Sequence, residues 1–348
     1  MTAELDPAIP ATEPVLPPLV LAVFIACIAG AGFFANCVLF AAVLRRATNG
    51  IYSIIAQLTV IDSLLLCVSI AFELWSYNNR TWTFGRAGCI AFRGTSVLAS
   101  TASLYLVATI ALHTLATINL QEKVTAQRLK RISSDEEETR SSHSLVEHEA
   151  SSQPRTVLVD YRTVDTVSVV PPSVFVWILS ASLSIPEFTL STTLRLDHNT
   201  IVCTLVDTGH RVDILYSMLA LFNFYLPTLL MSATGIILFR KFKSYRPALI
   251  EQVESKQALK LSLYLIVSYF VLCAPRSIFY VYGFYSMSSI DDRNSLQQNE
   301  TLVRISLVVS SLYLVAIFIR PLLCFTFLPR MRKKVSCKLY DGTDVEEL

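Results

Sequence analysis

Leu19-Val20-Leu21-Ala22-Val23-Phe24-Ile25-Ala26 opens, and Leu39-Phe40-Ala41-Ala42-Val43-Leu44 closes, a run from 18 to 44 that holds no charged side chain and is followed at once by Arg45-Arg46. About 20 apolar residues of helix cross a hydrocarbon core about 30 Å thick, because in lipid each backbone polar group must be satisfied within its own segment. Six further stretches of this kind follow, at 51 to 74, 87 to 118, 171 to 193, 212 to 240, 256 to 285 and 301 to 326. The sequence therefore predicts an all-α membrane protein, a seven-transmembrane helix bundle. Composition agrees, since 53% apolar and 16% charged residues in a chain of 348, with a mean hydropathy of +0.51, are too apolar for a soluble domain of that length.

The placement of Lys and Arg orients the spans, while the net charge of +2 does not. Arg45 and Arg46 follow the first span; Lys123, Arg128, Lys130 and Arg131 the third; Arg240, Lys241, Lys243 and Arg246 the fifth; Arg330, Arg332, Lys333 and Lys334 the seventh. The intervening loops carry scattered bases such as Arg80, Arg195, Arg211 and Arg293, and the segment before the first span has none. This asymmetry predicts an N-terminus outside the cell and a cytosolic C-terminus. With no basic residue ahead of it, the first span reads as a retained helix, not a cleaved signal peptide.

On that topology residues 1–17, Pro-rich and acidic, form an extracellular tail before the seven-helix domain at 18–326. The polar segment 119–170, with its run Ser133-Ser134-Asp135-Glu136-Glu137-Glu138, reads as a disordered cytosolic loop. Ser133 and Ser134 precede acidic residues at a spacing suited to an acid-directed kinase, although a plain solvated spacer explains the same residues. Six of the eight cysteines lie in or beside apolar spans, where a thiol behaves as a small hydrophobe. Cys89 and Cys203 would face an oxidising compartment and can pair. Cys337, beyond the last basic run, is either a palmitoylation site or a free thiol. Asn299 and Asn79 begin glycosylation sequons, Asn79 close to the membrane. Glu346-Glu347-Leu348 is either a ligand for a peptide-binding domain that reads acidic C-termini or a chance ending. No metal-ligand spacing, phosphate-cradling glycine loop or nucleophile with a nearby base is visible, so no enzyme, cofactor or nucleic-acid partner is expected. A transporter built of two related halves lacks sequence support as well.

Single residues in all seven spans resemble the rhodopsin-like (class A) G-protein-coupled receptors. Asn36 looks like that family's first-helix asparagine, and Asp62, in Leu58-Thr59-Val60-Ile61-Asp62, like its buried aspartate. Trp82-Thr83-Phe84-Gly85 followed by Cys89 resembles the family's first outer loop and disulfide cysteine, which implies Cys203 as the partner. Trp177 and Pro186 suit the fourth helix, Pro227 the fifth, Pro275 the sixth and Pro321 the seventh. Phe327-Leu328-Pro329-Arg330 looks like the start of a short amphipathic eighth helix, leading into the tail at 327–348. Ser184-Ile185-Pro186-Glu187-Phe188, Cys203-Thr204-Leu205-Val206-Asp207 and Glu254-Ser255-Lys256-Gln257 are most similar to an orphan receptor related to galanin-type peptide receptors. The resemblance implies a plasma-membrane location, an extracellular peptide or small-molecule ligand, and a heterotrimeric G protein or arrestin as partner.

The positions of the family's activation machinery depart from its pattern. His113-Thr114-Leu115 stands where an acidic residue, Arg and Tyr would end the third helix, and Arg320-Pro321-Leu322-Leu323-Cys324 stands where the seventh would carry Asn-Pro and a Tyr. Cys273 replaces a tryptophan two residues before Pro275, and Gly235 a tyrosine of the fifth helix. A receptor with weak or unconventional coupling follows, as does the alternative of a non-signalling decoy, trafficking partner or heteromer subunit. An unpaired Arg inside a membrane helix is costly, so Arg320 either pairs with Asp62, beside Ser103, in place of the family's sodium ion, or extends to the cytosolic water. Glu73, Arg93, Glu187, Arg276, Phe279 and Tyr280 are candidates for a ligand pocket near the outer ends. Arg276 is the preferred ligand contact, for a carboxylate, with internal pairing to Glu73 or Glu187 as the alternative.

Overall fold

A computed structural model describes residues 14–44, 50–142, 167–195, 201–206, 210–244, 250–286 and 300–328, except the side chains of 69, 128–142, 210–213, 250–254, 283–286 and 300. Seven of its helices are long and apolar enough to cross a membrane. They are α1 (Pro18–Leu44), α2 (Gly50–Asn79), α3 (Gly85–Ser142), α4 (Val170–Leu190), α5 (His210 to Ser244), α6 (Ile250 to Ser286) and α7 (Glu300–Phe327). Two short strands, β1 (Ser191–Arg195) and β2 (Ile201–Leu205), form an antiparallel hairpin between α4 and α5.

The apolar residues divide into two populations. Leu66, Ile70, Leu106, Ile110, Leu314 and Ile317 are buried in one core shared by the helices. Others face outward, with Leu19 76% exposed, Phe34 70% and Leu229 69%. Apolar surface on that scale is stable against lipid and would aggregate in water. Gly32 lets α1 approach closely, since a Cβ there would lie 3.0 Å from Leu66 Cδ1 and 3.7 Å from the Phe318 Cα.

α3 is longer than hydropathy alone suggests. It continues past residue 118 to Ser142, so the first half of the segment expected to be an irregular loop is helical. Asn119 to Arg131 contains neither Gly nor Pro and is rich in Leu, Gln, Lys, Arg and Glu, all good helix formers once a turn has been nucleated. Hydropathy marks where the lipid ends, not where the helix ends.

Turns of π-helix interrupt α2 at Leu65–Ile70, α5 at Leu221–Tyr225 and α6 at Tyr269–Cys273. In α5 the turn lies just before Pro227, whose ring nitrogen cannot donate to the preceding turn. The Tyr105 hydroxyl instead donates to the Phe222 carbonyl at 2.8 Å, so a residue of α3 satisfies the group that the proline leaves open.

The hairpin caps one end of the bundle. A disulfide joins Cys89, near the start of α3, to Cys203 in β2. The Trp82 amide donates to the Ile201 carbonyl at 2.7 Å, and the Ile201 amide to Thr81 Oγ1 at 3.1 Å. The turn that makes these contacts enters through Arg80 in the left-handed region, φ 53°, and leaves through Gly85 at φ 67°. The Trp82 ring is buried and packs on Phe72, Phe84 and Phe92.

Candidate ligand cavity and polar axis of the bundle

Beneath the hairpin a cavity of about 200 Å³ opens between α3, α4, α5, α6 and α7. Apolar Phe92, Val97, Leu104 and Phe224 share its wall with Ser100, Asn223, Ser277 and three arginines, Arg93, Arg276 and Arg320. Glu187 also lines it, whereas Glu73 stands behind Arg276.

Arg93 reaches from α3 to the end of α4. Its Nε donates to Glu187 Oε2 at 2.7 Å and its Nη2 to Glu187 Oε1 at 3.2 Å, and Nη2 also reaches the Tyr216 hydroxyl at 3.1 Å. Glu187 lies between Pro186, inside α4, and Phe188, whose ring packs against Gly94 so closely that a Cβ there would overlap it. Thus a glycine in α3 sets the depth of the α4 end.

Arg276, one residue after Pro275, makes the matching contact on the opposite wall. Its Nε and Nη2 hold the two oxygens of Glu73 in α2. Ser310 of α7 donates to Glu73 Oε1 at 2.7 Å, and the Tyr280 hydroxyl donates to the same oxygen at 3.3 Å. The guanidinium carbon lies 4.9 Å from the centre of the Tyr280 ring and 4.8 Å from that of Tyr313, both cation–π distances. Arg276, expected as the preferred contact for a ligand carboxylate, is occupied by Glu73, the alternative left open above. Phe279 is half-buried and does not line the cavity.

At the cavity floor lies Arg320, its side chain 5% exposed. Nη1 donates to Asp62 Oδ1 at 2.8 Å and also to Ser103 Oγ, and Ser103 Oγ donates to the same Asp62 oxygen at 2.8 Å. Nη2 faces Cys273 Sγ at 3.5 Å. Arg320 Nε and Asp62 Oδ2 have no hydrogen-bond partner among the described residues. The guanidinium does not extend toward the end of the bundle, because the helix places its base beside a carboxylate in the low-dielectric centre.

Further from the hairpin the buried polar contacts described are between neutral groups. Thr114 is buried, donates to the Ile110 carbonyl of its own helix at 2.8 Å, and accepts from Ser262 of α6 at 2.9 Å. Ser255 donates to Gln121 Oε1 at 2.7 Å, and Lys241 of α5 meets Glu122 at 2.6 Å near the surface. His113 is half-buried with no partner for Nε2 among the described residues, and Leu115 packs at the edge of the core. Cys324, three residues beyond Pro321 in α7, is buried.

Several contributors carried no family signal. Asn223 accepts from Thr101 at 2.7 Å, Tyr269 bonds Thr228 at 2.8 Å, and Tyr216 and Tyr313 complete the surroundings of two arginines. Asn223 could have been found as an uncharged polar residue inside an apolar span, a kind of residue that usually faces the bundle interior. Asn79 ends α2. The side chains of Ser133 and Ser134 lie outside the described part of α3, and Asn299, Cys337 and the tail from 329 lie outside the described residues. Among the described residues no group of three or more His, Cys, Asp or Glu could hold a metal ion.

No curated protein matches the chain. Residues 159–328, which contain α4 to α7 and the hairpin, match the family model of the 7 transmembrane receptor (rhodopsin family), and the seven spans support reading the chain as a multi-pass membrane protein.

Proposed function

We propose that the chain is a rhodopsin-like receptor of the plasma membrane, with the hairpin end outside and the basic far end in the cytosol, that binds a small molecule or peptide and couples to G proteins weakly or by unconventional contacts. The observation that carries this reading is the cavity at the disulfide-tethered hairpin end of the bundle, whose largely apolar wall carries three arginines. Kinship with galanin-type peptide receptors, resting on the sequence around Pro186 and Cys203, is part of the proposal.

Weak coupling follows from the far end. Thr114 occupies the place where the resemblance would put an arginine, and its hydroxyl joins α3 to α6 through Ser262. Arg320 holds Asp62 and Ser103, so a fixed cation takes the place of a sodium ion. Signalling requires a ligand that favours one of two helix packings over the other. Here the packing in which α6 moves outward lacks an arginine and tyrosines to support it.

The same observation favours a second reading, a seven-helix decoy or heteromer subunit that binds ligand without signalling. Basal and stimulated second-messenger output across G-protein classes, at matched surface expression, for the natural chain and Thr114→Arg separates the two. The receptor reading predicts a signal from the natural chain or a gain in the variant. Silence in both, with ligand bound, supports the decoy.

A further inference from the structure

The cavity contains three guanidinium groups, and they differ in how their donor edges are used. Nε and Nη2 lie on one edge of an arginine and form a fork that matches the two oxygens of a carboxylate. In Arg93 that fork holds Glu187, and in Arg276 it holds Glu73. In Arg320 the interactions with Asp62 and Ser103 use Nη1. Its fork meets only the Cys273 sulfur, a weak acceptor, at 3.5 Å from Nη2, and Nε meets no acceptor among the described residues. Arg320 lines the cavity although its side chain is only 5% exposed, and Cys273 lines the cavity beside it.

A buried donor without a partner costs free energy that a ligand acceptor would recover, and the low dielectric strengthens the bond it forms. We infer that the fork of Arg320, not Arg276, is the anchor for a ligand, and that the ligand is a compact monocarboxylate with an apolar or aromatic body. The carboxylate sits on Nη2 at the floor and, as the Cys273 sulfur moves aside, reaches Nε, which has no solvent contact in the structure. The body lies along Leu104, Val97 and Phe224. The cavity volume of about 200 Å³ falls below the roughly 300–1,000 Å³ of pockets for drug-sized ligands, which favours a small body. Asp62 keeps Nη1, so the ligand adds a second carboxylate to the guanidinium instead of replacing the first. The inference rests on the proposed ligand-binding role of this cavity, but it does not require coupling to a G protein.

The test uses the full chain purified in detergent, with sodium benzoate as probe, benzamide as its neutral counterpart and sodium chloride as the ionic-strength control. Benzoate raises Tm by about 2 °C at ten times a millimolar Kd, with a further rise proportional to the logarithm of its concentration, and benzamide and chloride do not. The rise is lost in the Arg320→Asn/Asp62→Asn double variant and kept in Glu73→Gln/Arg276→Gln. Alkylation of Cys273 in the natural chain gives a second readout that does not depend on the folding of any variant: benzoate slows it and benzamide does not. No rise beyond chloride, an equal rise with benzamide, loss in the Glu73/Arg276 variant alone, or undiminished Cys273 alkylation at saturating benzoate each overturns the assignment. Benzoate binding without second-messenger output from either the natural chain or Thr114→Arg leaves the anchor standing and counts against the receptor reading, whereas signalling to other ligands without benzoate binding does the reverse.

Discussion

At the hairpin end the helices are joined by ion pairs and a covalent bond, with Arg93 on Glu187, Arg276 on Glu73, and Cys89 bonded to Cys203. At the far end α3 meets α6 through hydroxyl and amide groups, Ser262 to Thr114 and Ser255 to Gln121, and meets α5 through the exposed pair of Lys241 and Glu122. The two sets differ in what it takes to open them. A neutral hydrogen bond contributes about 1 kcal/mol and an exposed ion pair about 0–1 kcal/mol, whereas stranding one partner of a buried ion pair costs about 3–5 kcal/mol. The hairpin end is therefore the fixed half of the bundle and the far end the adjustable one, with Arg320 and Asp62 on the boundary. Such an arrangement suits a preformed cavity above helices whose spacing can change.

Four substitutions sharpen or break that comparison. The largest effect belongs to the boundary: Asp62→Asn alone should cost about 3–5 kcal/mol by leaving Arg320 buried without a counter-charge, read as a marked fall in surface expression and in Tm. Opening the hairpin tether by Cys203→Ser should cost about 2–4 kcal/mol, and limited proteolysis should then cut within the hairpin. Gly94→Ala forces the Phe188 ring away from α3 and should cost about 1–3 kcal/mol; a Tm within 1 °C of the natural chain would mean that the α4 end is not set by this contact. The smallest effect is Ser262→Ala, about 1 kcal/mol at the far end. It should alter surface expression little and, on the proposed function, raise basal signalling up to about fivefold, the population change that 1 kcal/mol allows. If Ser262→Ala proved as damaging as Asp62→Asn, the two ends would not differ as described.

The seven spans and the disulfide were legible because each follows from a local property: runs of apolar residues between basic clusters, and two cysteines on the same side of the membrane. The continuation of α3 past residue 118 was not, since a polar stretch without Gly or Pro reads equally as helix or spacer until its neighbours are known. Gln121 and Glu122 find Ser255 and Lys241 only in the folded bundle. The π-helical turns left no mark beyond Pro227 and Pro275. For Arg276 the sequence left internal pairing and ligand binding open, because Glu73 stands 203 residues away and spacing at that distance carries no geometric information. For Arg320 the demand for a counter-charge could be argued from chemistry alone. That its Nε and Nη2 remain turned from Asp62 could not, since the choice of edge depends on how α7 is rotated in the bundle.

A double-mutant cycle on Asp62 and Arg320 tests the central claim most directly. Tm and surface expression would be measured for the natural chain, Asp62→Asn, Arg320→Asn and the double variant. The fixed ion pair predicts that each single change is severe and that the double recovers much of the loss, with a coupling above about 2 kcal/mol. Additive losses would contradict it and leave the boundary between the two halves without its structural cause.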